Sequence, residues 1–221
     1  MDAVKQQSTD KYVTFSKRER MNTKSFLMTV LILAIAIISQ AQKTGSITDA
    51  RDNSTYMTVQ VGTQTWMAEN LNFNTKNSWC YNDSITNCQT YGKLYSWPDA
   101  QKACLSGWHL PSDEEWTTLI TYLGGECAAG GKLKTTFKWA VPNYGATDSV
   151  GFSGNSGGFR TEDGSFNYKG FIGYWWTTKE YDTYAYYFYL SNKSKCVFTT
   201  ITWKQNGLSV RCVKDKPLNE D

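Results

Sequence analysis

The hydrophobic pattern of the chain predicts strands at both ends of the folded region. Between positions 57 and 61 apolar and polar residues alternate, with Met57, Val59 and Val61 on one face. This alternation predicts a half-buried strand, with Gly62 as the turn that follows it. Near the C-terminus four β-branched and aromatic runs are separated by polar turns: GYWWTT, YAYYFYLSN, CVFTTITW and GLSVRCVKD. These runs predict an antiparallel sheet of several strands.

Between these strands, CLSGWHLPSDEEWTTLITYLGG at 104–125 combines residues that could either catalyse a reaction or specify a helix. Ser112 followed by Glu115 forms a capping box, the pattern that opens a helix. An apolar stripe with helical spacing follows, made of Trp116, Leu119, Ile120 and Leu123. His109, the only histidine, has no second histidine or nucleophile close to it in sequence. The segment therefore predicts a helix, and His109 is interpreted as structural.

A shorter helix is predicted in YSWPDAQKACL, where Ser96 suits the N-cap and Pro98 suits the first turn. The preceding stretch SWCYNDSITNCQTYG is polar and rich in turn residues. From Gly124 to Gly173 the chain is irregular and glycine-rich, without a Gly-x-Gly-x-x-Gly or Walker pattern. We expect a long surface loop region there, with a tight turn at 162–164, rather than a phosphate site.

The strand YAYYFYL carries aromatic residues on both faces. Alternation places Tyr184, Tyr186 and Phe188 on one face and Ala185, Tyr187 and Tyr189 on the other. One of these faces is therefore either covered or available to a ligand. The candidate exposed ligand contacts are Trp175, Trp176, Tyr181 and Tyr184. Core positions are expected for four other tryptophans: Trp66, Trp97, Trp108 and Trp116.

Composition places the chain among globular proteins and argues against nucleic-acid binding. With 221 residues, of which 15% are aromatic, it is long enough for one domain plus an extension. The net charge of +3 comes from residues 1–41, which hold six basic and three acidic residues. The remaining chain carries 17 basic and 17 acidic residues, so it offers no excess positive charge to nucleic acid.

A run of 13 residues, Phe26–Ile38, that is apolar except for Thr29 predicts export. It is short for a bilayer span but suits the apolar core of a signal peptide, with cleavage expected between Ala41 and Gln42. An uncleaved signal anchor remains an alternative, and translation could start at Met21. We expect a secreted or cell-surface protein that meets the membrane only through this N-terminal segment. The expected division is 1–41 extension and signal, 42–48 linker, 49–215 domain and 216–221 tail.

All six cysteines lie beyond the apolar run: Cys80, Cys88, Cys104, Cys127, Cys196 and Cys212. An even number in an exported chain indicates disulfides, for which 15 pairings are possible. A zinc site is disfavoured, because there is no Cys-x-x-Cys and only one histidine.

Long stretches resemble the Fibrobacter succinogenes major paralogous domain (FISUMP). The matching stretches, in order, are YMTVQVGTQTWMAENLNF, YGKLYSW, ACLSGWHLPSDEEWTTL, GYWWTT and GLSVRCVKD. The resemblance extends from about Asp49 to Asp215. It implies a secreted or surface domain of bacteria, in a family without an established biochemical activity.

YSWPDAQKAC followed by GWHLPSDEEWTTLITYL is similar, more distantly, to the C-type lectin-like fold and its formylglycine-generating-enzyme relatives. That resemblance implies an α+β fold in which two short helices pack on antiparallel sheet. It also implies a bond from the cysteine ending the first helix to one in the final strand, here Cys104 to Cys212. The pair Cys80 and Cys88 can close its own loop, which leaves Cys127 and Cys196 for each other.

We therefore expect a non-catalytic module, without cofactor or metal, that recognises a glycan, a cell-wall component or a surface protein. One alternative is a cysteine-dependent oxidase like the formylglycine-generating enzyme, which would need a reactive cysteine pair. Another is a calcium-dependent lectin, although Glu-Pro-Asn, Gln-Pro-Asp and Trp-Asn-Asp are absent from the sequence. Four acidic residues could still converge in space: Asp148, Glu162, Asp163 and Asp182.

Overall fold

The computed structural model describes residues 43–216. The predicted signal peptide, the signal-anchor alternative, the Met21 start and the cleavage between Ala41 and Gln42 lie outside the described residues. Within the described part of the chain, no helix combines the length and apolar character needed to cross a membrane.

The described residues form an α+β fold with thirteen strands and four α-helices. The strands are β1 Thr44–Thr48, β2 Thr55–Val61, β3 Gln64–Met67, β4 Ser78–Trp79, β5 Leu94–Tyr95, β6 Trp108–His109, β7 Phe159–Arg160, β8 Phe166–Asn167, β9 Ile172–Tyr181, β10 Tyr184–Ser191, β11 Val197–Trp203, β12 Leu208–Ser209 and β13 Val213–Lys214. The helices are α1 Ile85–Tyr91, α2 Trp97–Ala103, α3 Asp113–Tyr122 and α4 Glu126–Leu133, and a short 3₁₀ turn covers Tyr81–Asp83.

The strands form two larger sheets and one small hairpin. The five-stranded sheet has the order β1-β2-β3-β13-β6, the six-stranded sheet has the order β11-β10-β9-β12-β5-β4, and β7 pairs with β8. All pairings between named strands are antiparallel except that of β12 with β9, which is parallel. The predicted sheet of C-terminal strands is therefore correct for β9, β10 and β11. The last predicted run, GLSVRCVKD, is divided between the two sheets, because β12 joins the six-stranded sheet and β13 joins the five-stranded sheet.

The predicted linker at 42–48 is wrong, because β1 occupies most of it and pairs with β2 from Thr44 opposite Val59 to Thr48 opposite Thr55. The folded region thus begins before Asp49. Strand β2 is also less simple than its alternation suggests. Val59 is buried as expected, but Met57 on the same face is half exposed.

The helix predicted after Ser112 is confirmed. The Ser112 hydroxyl accepts a hydrogen bond from the Glu115 amide, and the Glu115 carboxylate accepts one from the Ser112 amide. All four residues of the predicted apolar stripe are buried. In α2, Pro98 occupies the first turn as predicted. The Ser96 hydroxyl, however, donates to the carboxylate of Asp99 and does not cap a backbone amide.

Two helices were not predicted, α1 in the polar stretch and α4 in the glycine-rich region. Glycine lowers helix propensity, so Gly130 and Gly131 argue against a helix when only local sequence is read. Both positions instead permit close packing of the helix on other segments. A Cβ atom at Gly130 would collide with the backbone of Lys195 and Cys196, and one at Gly131 with the backbone of Gly145.

Strand β9 lies between two hydrophobic cores. Trp176 packs in a core with Tyr95 and Trp108, whereas its neighbour Trp175 packs in a second core with Trp66 and Trp116. Consecutive strand residues point to opposite faces, which explains the division. Burying an aromatic side chain contributes about 1.5–3 kcal/mol, so these tryptophans hold helices and sheets together. The predicted core placement is confirmed for Trp66, Trp108 and Trp116, and Trp97 is partly buried against the first core.

The glycine-rich region is not the surface loop that was expected. Lys134, Phe152 and Ser156 are all fully buried. The Lys134 ammonium donates to the backbone carbonyls of Tyr144, Ser191 and Ser194 over 2.7–2.9 Å. Burial lowers the pKa of Lys134 to about 8. Lys134 thus stabilises the irregular segment from the protein interior, because buried carbonyl groups need hydrogen-bond donors.

Three disulfides join the parts of the fold, in the pairs that the sequence and the resemblance implied: Cys80–Cys88, Cys104–Cys212 and Cys127–Cys196. Within residues 43–216 no cysteine is free. Three disulfides fit an extracellular protein, because thiols are kept reduced in the cytosol.

Candidate ligand-binding site

Two of the four predicted ligand contacts are in the wrong place. Trp175 and Trp176 are 1% and 0% exposed, so neither can contact a ligand at the surface. Their polar atoms are also satisfied inside the protein, since the Trp175 indole donates to Asn70 and the Trp176 indole to the carbonyl of Tyr95. The sequence does not show this burial, because it depends on two cores that cover β9 on both faces at Trp175 and Trp176.

The other two predicted contacts lie together at the β9–β10 hairpin. Tyr181 is 64% exposed and pairs in register with Tyr184. Tyr184 is partly buried, and its ring packs against Trp203 with centroids 4.6 Å apart. These two tyrosines are accessible, but they form the end of a hairpin rather than a concave site.

A larger aromatic surface lies on one face of the three longest C-terminal strands. We call it the aromatic face and define it by six residues: Phe159, Tyr168, Tyr174, Tyr187, Tyr189 and Phe198. Its central row crosses three neighbouring strands, because Tyr174 on β9 is opposite Tyr189 on β10, which is opposite Phe198 on β11. Tyr187 shares this face, two residues before Tyr189 on the same strand.

The rings of the aromatic face contact one another continuously. Tyr189 stacks on Phe198 at 5.0 Å and on Tyr174 at 6.1 Å between centroids. Phe159 packs edge-on against Tyr174 at 5.2 Å and stacks on Tyr168 at 6.0 Å. Aromatic pairs at these separations are mutually attractive. Each ring is therefore held in a defined orientation.

Exposure changes gradually across the aromatic face. Tyr174 is buried and forms its floor, Tyr187 and Tyr189 are partly buried, and Tyr168 and Phe198 are 54% and 39% exposed at its two ends. A solvent-facing ligand could therefore contact the rims and reach towards the floor. Such a surface suits recognition, because tyrosine provides a large rigid contact area with little loss of conformational entropy on binding.

Two tyrosine hydroxyls of this face, those of Tyr174 and Tyr187, have pKa values raised above the ordinary value and are protonated at neutral pH. Burial raises the pKa of Tyr174, and the neighbouring phenols of Tyr187, Tyr168 and Tyr189 raise it further. Burial raises the pKa of Tyr187 to about 12, with a further contribution from Tyr189. Among the hydrogen bonds of residues 43–216, none involves the hydroxyls of Tyr174, Tyr187 or Tyr189. Each can both donate and accept a bond to a ligand.

Sequence reasoning identified part of this face. The alternation in YAYYFYL correctly placed Tyr187 and Tyr189 on one side of a strand that is aromatic on both sides. It missed Phe159, Tyr168 and Phe198, because these residues come from other segments. Only the pairing of β9, β10 and β11 and the position of the β7–β8 hairpin bring them together.

A cleft of about 470 Å³ lies elsewhere, between the β2–β3 region and α1. Asn70 lies at its base and is 4% exposed. The Asn70 carbonyl oxygen accepts bonds from Trp175 and Arg211, and its amide nitrogen donates to the carbonyl of Tyr91. Since its side chain is saturated by bonds within the protein, Asn70 acts as a structural centre rather than a ligand contact.

The only histidine connects two parts of the fold. The His109 ring lies 2.5 Å from a carboxylate oxygen of Asp215 and 2.9 Å from one of Glu115, the residue that completes the α3 capping box. Burial lowers the pKa of His109, but the hydrogen bonds with Asp215 and Glu115 outweigh this effect and raise the pKa above 6.5. Both ring nitrogens are thus engaged within the fold, which agrees with the interpretation of His109 as structural; that interpretation stays a prediction.

Two of the four acidic residues that could have met in space, Asp148 and Asp163, serve separate turns. The Asp148 carboxylate accepts bonds from the amide and hydroxyl of Ser153. The Asp163 carboxylate accepts bonds from Thr161 and Ser165 within the predicted turn. Across residues 43–216, no three His, Cys, Asp or Glu side chains are arranged to hold a metal ion.

The comparisons with known proteins identify the family and nothing more specific. The family model described as the Fibrobacter succinogenes major domain matches residues 59–214. No curated protein and no solved structure matches the chain. Since the family match covers well over half of its length, the chain belongs to the Fibrobacter succinogenes major domain family.

Proposed function

We propose that this member of the Fibrobacter succinogenes major domain family is a non-catalytic, secreted or cell-surface recognition module whose aromatic face binds a glycan. The observation that carries the proposal is the convergence of Tyr174, Tyr187 and Tyr189, whose hydroxyls make no hydrogen bond within residues 43–216. Sugars offer flat apolar faces and many hydroxyls, so they complement rings that also carry donors and acceptors.

The charge of the site favours a neutral glycan. All six residues of the aromatic face are phenylalanine or tyrosine, and burial raises the pKa of Tyr174 and Tyr187. An anionic polymer would need cationic side chains to offset its loss of hydration. A neutral polysaccharide loses less hydration energy and gains stacking and hydrogen bonds.

The disulfides support a binding role over the cysteine-oxidase alternative. Oxidation of that type requires a thiolate, and Cys196 and Cys212 are both bonded to other cysteines. Cys212 is also fully buried. The Cys104–Cys212 bond, from the end of α2 to the segment before β13, is the feature that favours a C-type lectin-like arrangement. We include that distant relationship in the proposal, and an experimental structure superposed on lectin domains would test it.

Binding to a panel of immobilised neutral polysaccharides and cell-wall fractions tests the proposal. We expect retention on at least one polymer, with Tyr187→Ala and Tyr189→Ala each weakening it about tenfold, equivalent to about 1.4 kcal/mol. Tyr189→Phe keeps the ring and removes the hydroxyl, so it measures the contribution of the hydroxyl to binding. Tyr122→Ala is the matched control, because Tyr122 is 58% exposed on α3.

Two results would refute the assignment of the site. One is a retained polymer whose affinity is unchanged in both aromatic-face variants. The other is an equal loss in Tyr122→Ala, which would indicate a nonspecific effect. Failure to bind any polymer in the panel would favour a protein partner.

A further inference from the structure

Among residues 43–216, no strand pairs with the outer edge of β11 in the six-stranded sheet. Strand β11 is the outermost strand in the order β11-β10-β9-β12-β5-β4. Three large side chains along it are exposed to solvent, Phe198 at 39%, Ile201 at 37% and Trp203 at 44%. Its seven residues, VFTTITW, contain no charge, proline or glycine. Exposed edge strands in soluble proteins are usually protected by charged side chains, by proline or by a bulge.

The register shows which backbone groups are open. Trp203 lies opposite Tyr184, and the next residue, Lys204, donates its amide to the carbonyl of Thr183 over 3.1 Å. Bonded and non-bonded pairs alternate along an antiparallel ladder. The amides and carbonyls of Thr199 and Ile201 therefore point away from β10, towards the open edge.

We propose that two copies of this chain associate by antiparallel pairing of their β11 strands about a twofold axis at Thr200. In this register Thr199 of each copy lies opposite Ile201 of the other, and Phe198 lies opposite Thr202. The outward backbone groups of Thr199 in one copy then form hydrogen bonds with those of Ile201 in the other copy, and the twofold axis generates this pair a second time. A closed twofold contact uses the same surface on both copies.

The charges next to β11 favour the antiparallel arrangement. Lys204 would lie opposite Cys196, and Lys195 opposite Gln205, so lysines do not face each other. The Lys204 ammonium is already 2.5 Å from the carboxylate of Glu180. Parallel pairing in register would place lysine beside lysine, which is unfavourable.

The other edge of the sheet makes open polymers unfavourable. It is formed by β4, which has only two residues, Ser78 and Trp79. A head-to-tail chain of copies would have to pair β11 with this short edge, whereas β11 offers its full length to a second β11. Because strand pairing alone buries a small area, we expect a weak, concentration-dependent dimer.

Pairing would also place two ligand sites on one surface. The twofold axis is perpendicular to the sheet, so corresponding faces of the two sheets lie on the same side. The two aromatic faces would then face one polymer together and could bind it with increased avidity. This consequence rests on the proposed glycan binding, but the dimer itself does not.

Sedimentation of the exported, disulfide-intact protein over a range of concentrations tests the pairing without any ligand. We expect the molar mass to double as concentration rises. Ile201→Lys should raise the dissociation constant of the dimer at least about tenfold, because it puts charge at the centre of the contact. Gln60→Lys, at an exposed position of β2 in the other sheet, is the control and should leave dimerisation unchanged.

Hydrogen exchange in the unmodified protein provides a second, independent measurement. The amides of Thr199 and Ile201 should be protected at high concentration and exchange quickly on dilution, whereas the Thr200 amide, which faces β10, should be protected in both cases. A protein that stays monomeric, or a dimer unaffected by Ile201→Lys, would overturn the proposal. So would higher polymers, or a monomer with protected Thr199 and Ile201 amides, which would mean that another segment covers the edge.

Discussion

Replacing Asn70 by alanine should remove a large part of the stability of the domain. Asn70 follows β3 in the stretch WMAENLNF, and its side-chain oxygen accepts three bonds. The donors are the Trp175 indole at 2.8 Å and two guanidinium nitrogens of Arg211 at 2.6 and 3.1 Å. Arg211 is fully buried, and its other acceptors are the backbone carbonyls of Met67, Phe152 and Ser153.

The magnitude follows from the donors that Asn70→Ala leaves without a partner. Burial already lowers the pKa of Arg211 to about 9, which leaves the guanidinium charged at neutral pH in an interior that penalises charge. A buried donor without an acceptor costs about 1–3 kcal/mol, and more when it is charged. Three such donors, partly relieved by relaxation, correspond to a loss of about 4–6 kcal/mol. Natural domains have about 5–15 kcal/mol in total.

The assay is denaturant unfolding with the disulfides intact, compared with Asn77→Ala. Asn77 is only partly buried and makes one side-chain bond, donating to Asp99 over 2.7 Å. We expect Asn77→Ala to lower the free energy of unfolding by about 1 kcal/mol. If Asn70→Ala lowers the free energy of unfolding by less than about 1.5 kcal/mol at an unchanged denaturant slope, Asn70 is not the structural centre described above. Equal costs for the two variants would refute it as well.

Three further predictions concern stability. His109→Gln should lower the melting temperature more near pH 5.5 than near pH 9. The pKa of His109 is raised in the folded state, so its protonated form stabilises the fold fully below about pH 6.5, and this contribution is lost as the pH rises through the folded-state pKa. Equal effects at both pH values would contradict this. Lys134→Met should cost at least about 3 kcal/mol in denaturant unfolding, since three buried carbonyls lose their donor; a cost below about 1 kcal/mol would mean that water or relaxation replaces it. Replacing Cys104 and Cys212 by alanine should lower the free energy of unfolding by about 4.7 kcal/mol, against about 2.5 kcal/mol for removal of the Cys80–Cys88 bond, which spans eight residues. The reason is that the entropy of the unfolded chain rises more when a bond enclosing a longer loop is removed. Equal or reversed losses in the same assay would refute this entropic explanation.

Local patterns predicted local structure well. The capping box at Ser112 and the apolar stripe of α3 involve residues within one or two helical turns, so their energetics depend little on the rest of the chain. Strands β9, β10 and β11 were also found, because each is a continuous β-branched and aromatic run. Strand β1 was missed, because its short polar sequence becomes a strand only by pairing with β2.

The candidate site could be predicted only in part. The alternation of YAYYFYL is a property of one strand, and it correctly showed Tyr187 and Tyr189 on a shared face. Whether that face or its opposite meets solvent depends on what packs against each, which no single segment specifies. Trp175 was therefore assigned to the surface although it lies in a core.

The family, the α3 helix, the even set of cysteines and the aromatic character of the C-terminal strands can all be read from the amino-acid order. They depend on residue identity and on spacing within a few turns or strand pairs. Three other features follow from packing in three dimensions: Asn70 holds a buried Arg211, Gly130 lies in a helix, and the aromatic face meets solvent. Those outcomes depend on residues up to 141 positions apart, such as Asn70 and Arg211. Their contacts form only when separate sheets, helices and loops exclude water together.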